Sequence, residues 1–70
     1  MHIQVNGEPR TIAAPATISE LLRTLEIRSD RVAVEVNLEI VDRQEFDRRS
    51  LEEGDRVEII SFIGGGERIW

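Results

Sequence analysis

The segment that decides the fold is Thr17-Ile18-Ser19-Glu20-Leu21-Leu22-Arg23-Thr24-Leu25. Its isoleucine and leucines recur every three or four residues, which places them along one face of a helix. Thr17 followed by Glu20 is the pattern of a capping box, so we expect the helix to begin at Ile18. The polar residues take the opposite face. The apolar stripe therefore needs a partner surface, and the flanking sequence supplies a sheet.

Two strands are predicted before this helix. Ile3 and Val5 alternate with polar residues, which is the pattern of a half-buried strand. Asn6-Gly7 is a typical hairpin turn, and a short second strand is expected near residues 10–13. Residues 14–16 then break the pattern before the helix.

Further strands are predicted after the helix. Alternating valines in residues 32–36 predict a third strand whose valines meet the helix, and a short apolar run follows at residues 40–41. Residues 42–49 are highly charged around Phe46 and predict a brief helical turn. Residues 56–62 predict the last strand, with Val57, Ile59 and Ser61 on one face and Glu58, Ile60 and Phe62 on the other.

This order of two strands, a helix and further strands predicts an α+β fold of the β-grasp type. In that plan one main helix packs across a mixed sheet of four to five strands, which is the simplest way to bury these stripes. We predict one domain over residues 1–63 and a flexible, glycine-rich tail over residues 64–70.

The composition sets limits on function. Hydrophobic residues make up 40% and charged residues 33% of the 70 residues, which is typical of a globular domain. The net charge is -5 and the arginines are dispersed, so no basic stripe for nucleic acid is visible. Without cysteine, any sulfur has to come from outside the chain. Neither a signal peptide nor a membrane-spanning run is apparent, and we expect a cytoplasmic protein.

Candidate catalytic and metal residues are few. His2 has no pattern of metal ligands around it, and Glu52, Glu53 and Asp55 lack the spacing of an EF-hand, so neither predicts a metal site. The serines have no histidine partner for a nucleophilic triad. We therefore predict no catalytic residue and a chain that is not an enzyme by itself.

Three consecutive glycines, Gly64-Gly65-Gly66, follow the last strand. They exceed what a helix cap or a two-residue turn needs, and they form a tether without side chains. Such a tether can enter a narrow active site in which any Cβ atom would clash. A plain linker to the residues that follow is the alternative.

The whole chain resembles the ThiS sulfur carriers of thiamin thiazole biosynthesis, which are relatives of the molybdopterin synthase small subunit and of ubiquitin. The matching segments are the amino-terminal strand that ends in Val5-Asn6-Gly7 and residues 17–22, 32–37, 40–43 and 54–66, and the last is the most specific. The resemblance implies that Gly66 is adenylated by an E1-like adenylyltransferase of the ThiF type, which uses ATP. Sulfur from a cysteine desulfurase pathway then gives a thiocarboxylate that feeds thiazole synthase of the ThiG type. No cofactor bound to the carrier is implied.

Under this resemblance, Gly64 and Gly65 would occupy the channel of a partner enzyme. Ile60 and Phe62, on the outward face of the last strand, would offer an apolar docking surface, or would be ordinary second-face packing. Residues 67–70 follow the point at which the family's mature form stops. While Glu67 is attached, Gly66 has no carboxylate, so we expect a peptidase to trim the tail. The rival interpretation is a permanent tail that only binds partners.

Three functions stay open on these residues. The chain is a sulfur carrier for thiazole, a sulfur carrier for another pathway of the molybdopterin or cysteine type, or a ubiquitin-like interaction module without chemistry. The two carrier functions require the glycine carboxylate, whereas the interaction module does not.

Overall fold

The structure, a computed structural model, describes residues 1–63 and 67–68. It contains one α-helix and six strands. The strands are β1 (His2–Val5), β2 (Glu8–Thr11), β3 (Val32–Val36), β4 (Glu39–Val41), β5 (Arg56–Ile63) and β6 (Glu67–Arg68), and the helix is α1 (Ile18–Thr24). Two short 3-10 helices lie at Ser29–Arg31 and Arg43–Glu45.

Five of the strands form a mixed sheet in the order β2-β1-β5-β3-β4. Strand β1 runs parallel to β5, and the other neighbours in this order are antiparallel. The single α-helix packs on one face of this sheet through its buried residues Ile18, Leu21 and Leu22. The predicted α+β arrangement, a β-grasp with one main helix, is confirmed.

The start of the helix is the predicted capping box. The Thr17 hydroxyl oxygen accepts a hydrogen bond from the backbone N–H of Glu20 at 3.2 Å. The Glu20 carboxylate accepts one in return from the backbone N–H of Thr17 at 2.8 Å. The helix has only seven residues, and Leu25 forms its C-cap, so the last member of the apolar stripe lies just beyond the helix and is half-buried.

The core lies between the helix and the sheet. The alternation predicted for β3 and β5 is confirmed, because Val32, Val34 and Val36 are buried together with Val57 and Ile59. Phe46, the apolar residue of the charged segment, is 2% exposed and belongs to this core. The predicted helical turn there is present as the 3-10 helix Arg43–Glu45.

The first hairpin differs from its predicted bounds. Asn6 and Gly7 both have positive φ values, 51° and 83°, which is the pattern of a two-residue type I′ turn. Val5 therefore pairs directly with Glu8, and β2 begins at Glu8 and ends at Thr11. The prediction of residues 10–13 was wrong by two residues because it left room for a longer turn.

Strand β6 was not predicted. Glu67 pairs with Ile63, and Arg68 pairs with Phe62, so this short segment runs antiparallel to the end of β5. Residues 64–66 and 69–70, and with them most of the predicted tail, lie outside the described residues. The division of the chain at residue 63 stays a prediction.

No helix in the described part of the chain has both the length and the apolar character needed to cross a membrane.

Candidate functional site

The strand that leads to the glycines, β5, lies in the middle of the sheet. On one side it pairs with β1 through Gln4 and Val5, and on the other it pairs with β3 from Val57 to Ser61. The side chains of Val57 and Ile59 are each 1% exposed. The first half of β5 is thus held from both sides and from the core.

Asn6 continues the hydrogen bonding between β1 and β5 beyond the last residue of β1. Its side-chain oxygen accepts a hydrogen bond from the backbone N–H of Ile59 at 2.8 Å, and its side-chain nitrogen donates to the carbonyl of Ile59 at 3.3 Å. The backbone N–H of Asn6 donates to the carbonyl of Val57 at 2.9 Å. The Asn6 side chain therefore satisfies the two backbone groups of Ile59 that one more residue of a parallel β1 would have satisfied.

A second asparagine holds the beginning of β5. Asn37 sits in the turn between β3 and β4, and its side-chain oxygen accepts a hydrogen bond from the backbone N–H of Arg56 at 3.0 Å. Its side-chain nitrogen donates to the carboxylate of Asp55 at 2.9 Å. The same carboxylate accepts from the backbone N–H of Glu52 at 2.8 Å, which closes the loop before β5.

The sequence-predicted site residues have different outcomes. Gly64, Gly65 and Gly66 lie outside the described residues, as does the side chain of Phe62. Ile60 is half-buried on the sheet face opposite the helix, directly across from Ala33 of β3. Its predicted role in docking stays a prediction.

Two carboxylates that the sequence analysis did not single out face each other on the same surface. Glu35 of β3 pairs directly with Glu58 of β5. The pKa of Glu35 is raised, because its protonated form can donate a hydrogen bond to the Glu58 carboxylate, because desolvation disfavours its charge, and because the negative charge of Glu58 repels it. The alternating pattern predicted that both residues point outward, but only the strand order shows that they meet.

Two large apolar side chains lie beside this pair and are open to solvent. Ile40 of β4 is directly across from Glu35 and is 75% exposed, and Leu38 in the preceding turn is 74% exposed. Leu38 has a φ of 71°, a left-handed conformation that suits glycine far better than leucine. The signal available in the sequence was an apolar residue at a turn position.

The residues considered for metal binding have structural partners. The backbone N–H of His2 donates to one Glu53 carboxylate oxygen at 2.9 Å, and the His2 ring nitrogen Nδ1 lies 2.9 Å from the other. These hydrogen bonds lower the pKa of Glu53. Within residues 1–63 and 67–68, no three His, Cys, Asp or Glu side chains form a group that could hold a metal ion.

Comparison with known proteins gives a consistent result. The model of the ThiS family matches residues 3–66. The sulfur carrier protein ThiS of Escherichia coli (strain K12) is 32% identical over 66 residues, which cover 94% of this chain and 100% of that protein. The crystal structure of the thiamine biosynthesis protein ThiS from Geobacter metallireducens superimposes with a TM-score of 0.82 at 39% identity, covering 94% of this chain and 100% of that one.

A second kind of relative is much longer. A thiazole synthase of Paramagnetospirillum magneticum (strain ATCC 700264 / AMB-1) is 44% identical over 66 residues, which cover 94% of this chain. The chain spans about a fifth of the length of this thiazole synthase and of a second one that it matches.

Proposed function

The chain belongs to the ThiS family of sulfur carriers in thiamin biosynthesis, and from that membership we propose that it carries sulfur as a thiocarboxylate on Gly66. The observation that carries the proposal is the extent of the family match, which begins in β1 and ends at Gly66. The match includes the whole of β5 and the three glycines that follow it, so the family model covers both the strand in the sheet and the segment proposed to carry sulfur.

The position of the glycines supports this chemistry. Ser61 is the last residue of β5 that pairs with β3, and Gly66 follows it by five residues. When extended, five residues span about 17 Å. The carboxylate of Gly66 would therefore reach into an enzyme's active site while the domain stays outside, and the segment nearest to the reacting carbon carries no Cβ atom.

The reaction requires activation of that carboxylate. A carboxylate oxygen attacks the α-phosphate of ATP and displaces pyrophosphate, which turns the carboxyl carbon into an electrophile. A sulfur nucleophile then attacks this carbon and AMP leaves. When the nucleophile is a persulfide, a thiol must reduce the resulting S–S bond before the thiocarboxylate is free. We propose that an E1-like adenylyltransferase and a cysteine desulfurase pathway supply these steps in the cytoplasm.

The peptide bond between Gly66 and Glu67 has to be cleaved first. In the uncut chain Gly66 carries an amide carbonyl, which ATP does not activate in this way. The residues after the glycines also pair with β5 through Glu67 and Arg68. We propose that a peptidase removes residues 67–70, which both creates the carboxylate and removes the strand β6.

Thiazole synthase is the proposed acceptor of the sulfur. Two relatives that bear this name contain a segment 44% and 40% identical to nearly the whole of this chain. Joining a carrier domain to the enzyme that it serves raises the local concentration of each for the other. That arrangement supports the same partnership between separate chains.

The test uses intact mass spectrometry on three forms of the chain, one ending at Trp70, one at Gly66 and one at Gly65. Each is incubated with the E1-like enzyme, ATP, a cysteine desulfurase and cysteine. We expect only the form ending at Gly66 to gain the mass difference between sulfur and oxygen. The same gain for the form ending at Trp70 would contradict the need for cleavage, and no gain for any form would overturn the proposed function.

A further inference from the structure

Three residues form a row on the sheet face away from the helix, and a fourth lies next to this row in a turn. Ile40, Glu35 and Glu58 lie side by side across β4, β3 and β5, and Leu38 follows in the turn that joins β3 to β4. We call this surface the Glu35–Glu58 face.

The apolar members are exposed, and one is strained. Ile40 and Leu38 are 75% and 74% exposed, and they are the large hydrophobic residues found exposed among residues 1–61. Single exposed apolar residues are ordinary, whereas an exposed apolar patch marks an interaction surface. Leu38 also holds a φ of 71°, where glycine would be free of strain. Strain of this kind is found chiefly at functional surfaces.

The acidic members repel each other. Like charges directly opposite on neighbouring strands destabilise a sheet. The ion pairs formed within residues 1–61 leave Glu35 and Glu58 without a cationic partner. Arg56 lies two residues before Glu58 on the same strand but forms no ion pair with either carboxylate in the described part of the chain. A cation from another molecule would remove this repulsion.

We propose that the Glu35–Glu58 face docks thiazole synthase through an arginine or lysine of the enzyme. This cation would lie between the two carboxylates, and apolar side chains of the enzyme would pack against Leu38 and Ile40. A guanidinium group matches this position well, because its planar donors can bond two carboxylates at once. The choice of thiazole synthase rests on the proposed function. It deepens that function by naming the surface through which the carrier is recognised.

The position of the face explains how docking would serve sulfur transfer. Glu58 lies on β5, the strand that continues into the glycines, and Gly66 follows it by eight residues. Eight extended residues span roughly 27 Å. Because Glu58 is fixed by pairing with β3, docking at this face fixes the position of the strand from which the chain continues to the glycines.

The test measures binding of the 70-residue chain to thiazole synthase from the same organism by titration calorimetry at two salt concentrations. The variant Glu35→Gln/Glu58→Gln removes both charges and keeps the size of the side chains. The matched control, Glu8→Gln/Glu26→Gln, removes the same charge from exposed positions at a hairpin and after the helix. Neither control residue forms an ion pair among the described residues.

We expect the double variant of the face to raise Kd about tenfold or more and to weaken the salt dependence of binding. Its melting temperature should rise at pH 7, since the repulsion is gone. A purely structural role for the pair would not combine higher stability with weaker binding. The control should change Kd less than about twofold. In a separate arm, Ile40→Ser should raise Kd about fivefold or more without a change in salt dependence.

Two results would overturn the docking proposal: equal Kd for the unchanged chain and the double variant, or no binding of the unchanged chain to thiazole synthase. The intact-mass assay separates these from failure of the proposed function. If the Gly66 form acquires the thiocarboxylate in the mass assay but the double variant binds as tightly as the unchanged chain, only the docking face is refuted. Weaker binding of the double variant in a chain that never acquires sulfur refutes the carrier chemistry and supports the face.

Discussion

Replacing Asn6 tests whether a single side chain holds β5 beside the end of β1. Its two hydrogen bonds to the backbone of Ile59, at 2.8 and 3.3 Å, connect the first hairpin to the strand that leads to the glycines. Ile59 itself is 1% exposed, so water has little access around it. Loss of the Asn6 side chain should therefore leave a backbone N–H and a carbonyl of the central strand without partners.

The expected size of the effect follows from these contacts. Two hydrogen bonds at about 0.5–1.5 kcal/mol each give a loss of roughly 1–3 kcal/mol for Asn6→Gly, which keeps the backbone conformation. Asn6→Ala should cost about 1 kcal/mol more, because Asn6 has a φ of 51° and alanine is strained there. A domain of this size has a free energy of unfolding of about 4–10 kcal/mol, so the alanine variant should lose a large part of it.

Urea unfolding followed by far-ultraviolet circular dichroism measures both variants against the unchanged chain. The order of stability should be the unchanged chain, then Asn6→Gly, then Asn6→Ala, with similar m-values. The difference between the two variants isolates the backbone strain, and the glycine variant isolates the hydrogen bonds. If Asn6→Gly were as stable as the unchanged chain, the hydrogen bonds of the Asn6 side chain would not stabilise β5.

Four other predictions follow from contacts and backbone angles in the domain. Thr17→Ala should lower the free energy of unfolding by about 1 kcal/mol through loss of the capping box, whereas the control Thr24→Ala at the other end of the helix should be neutral in the same urea assay. Leu38→Gly should raise the melting temperature, since glycine relieves the strain of a φ of 71°, and an unchanged or lower value would contradict that strain. The pKa of Glu53 is lowered on folding, so its stabilising effect is present above its unfolded pKa and is lost as the pH falls; Glu53→Gln should flatten the acid side of a curve of melting temperature against pH. The pKa of Glu35 is raised on folding, so the stability of the domain falls as the pH rises and Glu35 ionises opposite Glu58. Glu35→Gln should therefore stabilise the domain at pH 7 and not at pH 3, and equal effects at both values would argue against the repulsion.

The sequence predicts most of the fold because local pattern and tertiary packing agree. The capping box at Thr17 fixes the start of the helix. The alternating valines of β3 and the side chain of Phe46 are buried in the core, as their apolar character predicts. The bounds of β2 were missed because they depend on the turn type at Asn6-Gly7, which is a matter of two backbone angles rather than of hydrophobic period.

The candidate site was less accessible to this reasoning. Gly66 was identified by resemblance to a family, and its chemistry stays a proposal. The pairing of Glu35 with Glu58 depends on β3 and β5 being neighbours in a particular register, and period-two alternation gives the face of a residue but not the residue opposite it. The exposure of Ile40 likewise follows from its strand lying at the edge of the sheet.

The parallel pairing of β1 with β5 has a consequence for how the protein is made. Gln4 pairs with Arg56, so the two ends of the domain meet in the middle of the sheet, and this ladder cannot form on the ribosome until β5 has left the exit tunnel. A nascent chain that stalls or is degraded before that point has no central strand. Since the glycines are synthesised directly after β5, every chain that displays them already contains all that the sheet needs to close.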